Sequence, residues 1–345
     1  MDCIIPGPSI RSFCAAIGCL SRIGKELYID FDPIDGLSIR SLNDSKSVFG
    51  SYHFEPSFFL RCTCAPSSSR KSRSAKRKRK IKETTISDSN DGTENDDERW
   101  TVRIAMKALA AVVRHRKDLL SLKITTIGDH LSFEFKVQKI GGSVVCVTHL
   151  VGYSTAQGVA AVTATDGASE IVIQPNVLIT MLEPLRRSIE IALLVNEKHR
   201  LVSSVSFAHD DLPEEATSNL NIGKQNASLK TETSVSYDDL VDVHYIDHAD
   251  RDQSQDNIEP PADLKEQVVL VFTLKEFKAF LQYCSQALVD QELQVSIQFF
   301  WGGKPIVART KGDQFSAELV MATLDHKLLG SMKTSATGPS ERSAN

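Results

Sequence analysis

The sequence predicts an α+β protein built by duplication, and three observations predict it. Its 345 residues accommodate two domains of ordinary size. Hydrophobic residues make up 41% and charged residues 24%, the balance of a chain that folds around buried cores. The periodic segments then run twice through one succession: strand, helix, strands, helix, strands.

Taken in order, a strand over 2–5 leads to a helix over 9–21 and to strands near 26–31, 35–42 and 47–54. A second helix over 102–117 precedes strands near 119–126, 131–138 and 143–151. The second half opens with a strand over 169–174 and a helix over 176–187, followed by strands near 189–195, 199–207, 240–247 and 267–273. A fourth helix over 274–288 and strands near 293–300, 305–310 and 315–323 close the pattern. Residue identity between the halves is negligible, so the duplication is one of pattern. The halves are read as domains over 1–152 and 169–326, joined by a small, flexible connector over 153–168 (YSTAQGVAAVTATDGA).

Two stretches lack the apolar content that offsets ordering entropy. Residues 65–99 read as a disordered charged insertion with a balance of +3, and residues 208–266 as an acidic loop with a balance of −11. Within the latter, Val241, Val243, Tyr245 and Ile246 alternate well enough to hide one strand. Residues 327–345 read as a flexible tail. Removing the two charged stretches turns a chain of net charge −4 into a folded remainder of +4, so whole-chain charge does not argue against an anionic partner.

Several function classes lose support. No apolar run is long enough to span a bilayer, and the start MDCIIPGPSIRSF lacks the pattern of a secretory signal, which implies a cytosolic or nuclear protein. The seven cysteines are odd in number and scattered, and read as reduced core thiols; Cys62 and Cys64 have no second pair. His244 and His248, flanked by Asp242, Asp247 and Asp250, are four apart, but strand-like alternation splays them, so no metal site is assigned. No Gly-rich phosphate loop occurs, and the Asp-rich stretches lie in expected loops. The chain is therefore read as a non-enzyme, with no catalytic residues and no cofactor.

The helices carry the functional argument. At about 100° per residue, Arg103, Lys107, Arg114 and Lys117 fall in one arc of about 80°, opposite Met106, Leu109, Val112 and Val113. Arg11 and Arg22 are eleven apart, with Ala15 and Gly18 between them on the stripe. Lys275 and Lys278 share a face opposite Phe277, Leu281 and Cys284. A solvated helix face ordinarily mixes both signs. Three of the four helices keep carboxylates off this face, which suits contact with a phosphate backbone, where each acid would repel the ligand.

The segment from Leu20 to Tyr28 (LSRIGKELY), the runs Asp35 to Arg40 and Asn43 to Ser47, and the run Phe54 to Phe59 resemble the Rad-nine subunit of the nine-one-one checkpoint clamp. Phe272 to Lys278, Gly303 to Pro305 and Glu318 to Leu324 resemble the same family. The resemblance implies a DNA-clamp fold like that of proliferating-cell nuclear antigen, with outer antiparallel sheets and inner helices around a hole. It also implies a nuclear heterotrimer with two related clamp subunits, threaded by double-stranded DNA without sequence preference and loaded at damage by an ATP-driven clamp loader. Repair and checkpoint proteins would bind an outer groove beside the connector, and the clamp would support checkpoint-kinase activation. The hole would then be lined by Arg11, Arg22, Lys25, Arg103, Lys107, Arg114, Lys117, Lys275 and Lys278. Two alternatives stay open here: a replication-type homotrimeric clamp and a damage-processing 3′–5′ exonuclease.

Two further signals lie in the expected loops. The run RKSRSAKRKRKIK, centred on Lys76, Arg77, Lys78, Arg79 and Lys80, is a nuclear-localisation candidate and also compatible with extra DNA contact. Ser254, followed by Gln255, fits the preference of damage-checkpoint kinases.

Overall fold

A computed structural model describes residues 1–32, 34–63, 100–113, 118–186, 188–208, 229–247, 267–287 and 293–324. The duplication runs one level deeper than the sequence pattern indicates: each half contains two copies of a strand, a helix and three strands. The first copy is β1 (Asp2–Pro6), α1 (Gly7–Ile23), β2 (Glu26–Asp32), β3 (Gly36–Leu42) and β4 (Val48–Phe54), with a short β5 (Arg61–Thr63) behind it. The second is β6 (Trp100–Ala105), α2 (Met106–Val112), β7 (Leu119–Ile127), β8 (His130–Gln138) and β9 (Val144–Gly152), followed by β10 (Ser154–Thr155). The third is β11 (Ser169–Ile173), α3 (Pro175–Leu182), β12 (Glu190–Asn196), β13 (Leu201–Ala208) and β14 (Leu229–Ser236), with a short β15 (Asp242–His244). The fourth is β16 (Val268–Thr273), α4 (Leu274–Gln286), β17 (Val295–Phe299), β18 (Ile306–Lys311) and β19 (Phe315–Met321).

These strands form three antiparallel sheets in the orders β5-β1-β7-β8-β9, β10-β6-β2-β3-β4-β19-β18-β17-β11-β15, and β14-β13-β12-β16. The long sheet crosses between the halves where β4 pairs with β19, from Phe54 opposite Phe315 to Val48 opposite Met321. The helices pack in the succession α2, α1, α4, α3. Beneath them one apolar core runs through both halves, from Ile10, Phe13 and Leu20 to Phe277, Phe280 and Leu281. Aromatic contacts seal the junction: Tyr52 meets Tyr283 edge-on at 4.6 Å, and Ser12 Oγ lies 3.4 Å from the Tyr283 hydroxyl.

Local chemistry explains the element ends. Proline stands in the first turn of α1 and α3, where its missing N–H costs nothing. The end of α1 comes at Gly24, whose N–H donates to the Leu20 carbonyl at 3.1 Å. A Cβ there would stand 2.3 Å from the Leu42 carbonyl oxygen, so the helix can end against β3 only with glycine at this position. Gly50 plays the same part on β4, where a Cβ would lie 2.7 Å from Ile23 Cδ1 and 2.8 Å from Leu20 Cδ2. Gly50→Val is expected to destabilise the fold by about 1–3 kcal/mol through overpacking, read as a lower urea midpoint.

Several expectations need correction. The helix expected over 102–117 begins at Met106, because Val102 and Ile104 point into the core and Arg103 and Ala105 away, a strand's period of two. The stretch 208–266 is not wholly loop: it contains β14 and β15, and β14 is polar because it is an edge strand held mainly by its backbone ladder to β13. Cys3 and Cys62 are not free thiols. The unexpected strand β5 sets them opposite one another, and they form a disulfide. Cys14 and Cys19 do behave as core thiols, each pushed up to about 12 by burial.

Candidate nucleic-acid interface

The four helices lie on one side of the sheets, and their composition is one-signed. Across α1, α2, α3 and α4 there are five basic side chains, Arg11, Arg22, Lys107, Lys275 and Lys278, and one carboxylate, Glu276. The segregation follows from amphipathicity: each helix commits its apolar stripe to the core, so whatever remains faces outward. Arg11, Arg22, Lys107 and Lys275 are exposed. Arg22 donates to Gln282 of α4, so one guanidinium bridges the two central helices across the junction of the halves. Lys278 is half-buried and donates to the Leu182 carbonyl at 3.4 Å, capping the last turn of α3 with positive charge. Gly18 sits between the arginines of α1 with open space above it. Gly18→Ala is expected to stabilise the helix by up to about 1 kcal/mol, read as a raised melting temperature.

The remaining expected residues divide. Lys25 is exposed just beyond α1 but paired with Asp44, whose carboxylate raises the ammonium's pKa, so its charge is largely spent locally. Arg103 is on the wrong face. It projects from β6 on the side of the long sheet away from the helices, 3.3 Å from Glu26 Oε1 and 3.4 Å from Ser154 Oγ. Arg114, Lys117, the run Lys76 to Lys80, Ser254 and His248 lie outside the described residues. His244 is exposed on β15, and among the described residues no group of three His, Cys, Asp or Glu could hold a metal ion.

Two features depend on strand register; the resemblance implies the first, and the second escaped sequence reasoning. First, the connector is laid on the outer face of the long sheet and held there. Arg40 is 2.5 Å from Asp30 and donates to the Val159 carbonyl at 3.3 Å. Val159 and Ala161 pack with Leu42 over Phe49, Val307 and Val320, which come from both halves. Second, β9 and β14 are edge strands. In β9, Val145, Val147, His149 and Val151 stand opposite core residues of β8, and Val144 and Leu150 are 53% and 61% exposed on the other face. In contrast, β14 carries Thr231, Thr233 and Val235 toward the core, and Thr233 is already satisfied by the Met181 carbonyl at 2.7 Å.

The profile of the Rad9 family matches residues 13–324 of this chain. Among solved structures, proliferating-cell nuclear antigen (PCNA) from Thermococcus kodakaraensis superimposes with a TM-score of 0.61 at 10% identity, over 93% of this chain and 99% of that one. A PCNA2–PCNA3 complex from Sulfolobus tokodaii gives 0.59 at 12% identity, over 94% and 99%. The PCNA of A. fulgidus, bound to the C-terminal region of FEN-1, gives 0.56 at 10% identity, over 93% and 97%. At this identity the structural likeness establishes the fold: sheets and four helices in the arrangement of a sliding clamp.

Proposed function

The chain belongs to the Rad9 family of sliding-clamp subunits, and from that premise we propose that it joins two related chains in a nuclear ring that encircles double-stranded DNA at damage. The observation that carries this reading is the one-signed helix face, with five bases and one acid in a chain whose net charge is −4. Arg11, Arg22, Lys107, Lys275 and Lys278, with Arg114 and Lys117 further along the second segment, touch phosphate oxygens. None of these contacts reads a base edge, so binding is independent of sequence, and the ring can slide.

The fold supports a ring through its own internal symmetry. Inside the chain, the last strand of the first copy (β4) pairs with the last strand of the fourth (β19). The last strands of the second and third copies, β9 and β14, are the corresponding edges. A neighbouring chain adds to each as β19 adds to β4. Their chemistry supports different partners on the two sides: an apolar β9 asks for an apolar edge, whereas β14 presents threonine and serine. This mismatch favours a heterotrimer over self-association.

The chain contributes position and charge, and no chemistry. An ATP-driven loader opens and closes the ring, and repair and checkpoint proteins dock on the outer face beside the connector; that the A. fulgidus clamp binds the C-terminal region of FEN-1 supports a partner-binding role. The run Lys76 to Lys80 directs nuclear import and Ser254 accepts phosphate from a checkpoint kinase, which together connect the ring to kinase activation. The reading is tested by loading the assembled ring on nicked circular plasmid and following retention as salt is raised. Retention that ends when the plasmid is linearised is expected; equal retention on linear and circular DNA would contradict encirclement.

A further inference from the structure

The two halves solve one structural problem in two ways, and the difference points to a redox device. In the first half, the three-residue strand β5 follows a 3₁₀ turn (Pro56–Phe58) and covers the edge of β1. In the second, β15 follows a 3₁₀ turn (Tyr237–Asp239) and covers the edge of β11. The central pairs correspond: Cys3 and Ile171 each stand four residues before the first residue of the following helix, and Cys62 and Val243 each stand four residues after their 3₁₀ turn. Cys3 is opposite Cys62, and Ile171 is opposite Val243. An ordinary apolar pair therefore suffices to hold this strand in place. A disulfide at the same position does something that the packing does not require.

We propose that Cys3 and Cys62 form a reversible thiol–disulfide pair that locks β5 onto β1 under oxidising conditions and releases it under reducing ones. Exposure assigns the order of steps. Cys3 is 0% exposed, whereas Cys62 is partly exposed at the sheet edge, so Cys62 is the entry point. Its thiol gives up a proton to solvent, and the thiolate attacks one sulfur of a low-molecular-weight disulfide such as oxidised glutathione, expelling one glutathione thiolate. The Cys3 thiol, likewise deprotonated, then attacks the Cys62 sulfur of the mixed disulfide and expels the second. The protein dithiol loses two electrons and oxidised glutathione gains them. Reduction reverses both steps and leaves two small apolar thiols in a site that its counterpart fills with Ile171 and Val243. The fold survives in either state.

The consequence is local. Apart from the disulfide, β5 is held by a three-residue ladder, the Leu60 N–H to the Ile4 carbonyl at 2.9 Å, the Thr63 hydroxyl to the Asp2 carbonyl at 3.5 Å, and a partly exposed Arg61–Asp2 pair at 3.6 Å. In the oxidised state a covalent link fixes the point from which the chain leaves for the insertion bearing Lys76 to Lys80.

The test equilibrates the full chain in buffers of graded reduced and oxidised glutathione, alkylates free thiols and maps the peptides by mass. A Cys3–Cys62 cross-link is expected to rise with oxidised glutathione and disappear on return to reduced glutathione, with an unchanged circular dichroism spectrum. Amide exchange over 61–63 is expected to slow roughly tenfold on closure, because opening of the strand is suppressed. The double variant Cys3→Ile/Cys62→Val, which copies the second half, is expected to fold and to show no response. Failure to close at any ratio, a link that persists in excess reduced glutathione, or closure between Cys62 and Cys64 instead would each overturn the proposal.

Discussion

Replacing Arg11, Arg22, Lys107 and Lys275 together by glutamate is expected to lower the yield of rings loaded on circular DNA by at least about a hundredfold at physiological salt. All four side chains are exposed on the helix side. Each is a potential phosphate contact, and each contact removed lowers the slope of log affinity against log salt by about 0.9. Reversal adds repulsion to the loss. These side chains contribute little to the core, so urea midpoints are expected to move by less than about 0.5 kcal/mol equivalent. Arg103→Glu supplies the internal control: it changes charge by as much as any one of these substitutions, on the opposite face of the sheet, and is expected to leave loading and its salt slope unaltered. A drop in loading from Arg103→Glu equal to that from Arg11→Glu would show that charge, and not place, is what matters.

Placing aspartate at Val145 and Val147 of β9 is expected to abolish joining to one partner subunit while leaving the other contact intact. Both residues lie on an edge strand, opposite Val137 and Phe135 of β8, and finish the core only when another strand covers them. Inward-pointing carboxylates on a strand edge are costly to bury and are how proteins discourage edge pairing. With nothing added to the edge they reach water, so the isolated chain is expected to stay folded. The opposite edge, β14, is untouched. Size-exclusion chromatography with light scattering on binary mixtures is expected to show one two-chain complex lost and the other retained. Loss of both, with an intact circular dichroism spectrum, would contradict the assignment of separate edges to separate partners.

Much of the fold was legible because burial writes itself into period. α1 and α4 were readable from Phe13, Ile17 and Leu20 and from Phe277, Leu281 and Cys284, and the alternation of β2 was equally plain. The α+β clamp fold and the family resemblance were both recoverable from those segments. What failed had physical reasons. In 100–105 a basic residue at Arg103 fell in register with a helical stripe that truly begins at Lys107, and two buried residues are too few to separate a period of two from one of 3.6. The polar edge strand β14 is stabilised by its ladder to β13, which composition does not reveal. The Cys3–Cys62 pairing needed the register of β1 and β5, a contact across 59 residues of sequence. The one-signed composition of the helices, in contrast, is legible in the sequence, although Arg103 belongs to the other side and Arg114 and Lys117 lie outside the described residues.

The decisive measurement places a photoactivatable cross-linker at Gly18, on the exposed face of α1 where an added Cβ would meet nothing within 4 Å, and in parallel at Ser316, on the outer face of the long sheet in a depression of about 890 Å³ with Ser51, His53 and Lys311. In rings loaded on circular duplex, irradiation is expected to join DNA to the Gly18 position and leave the Ser316 position unlinked. Cross-linking from Ser316 with none from Gly18 would put the duplex outside the ring and contradict the account.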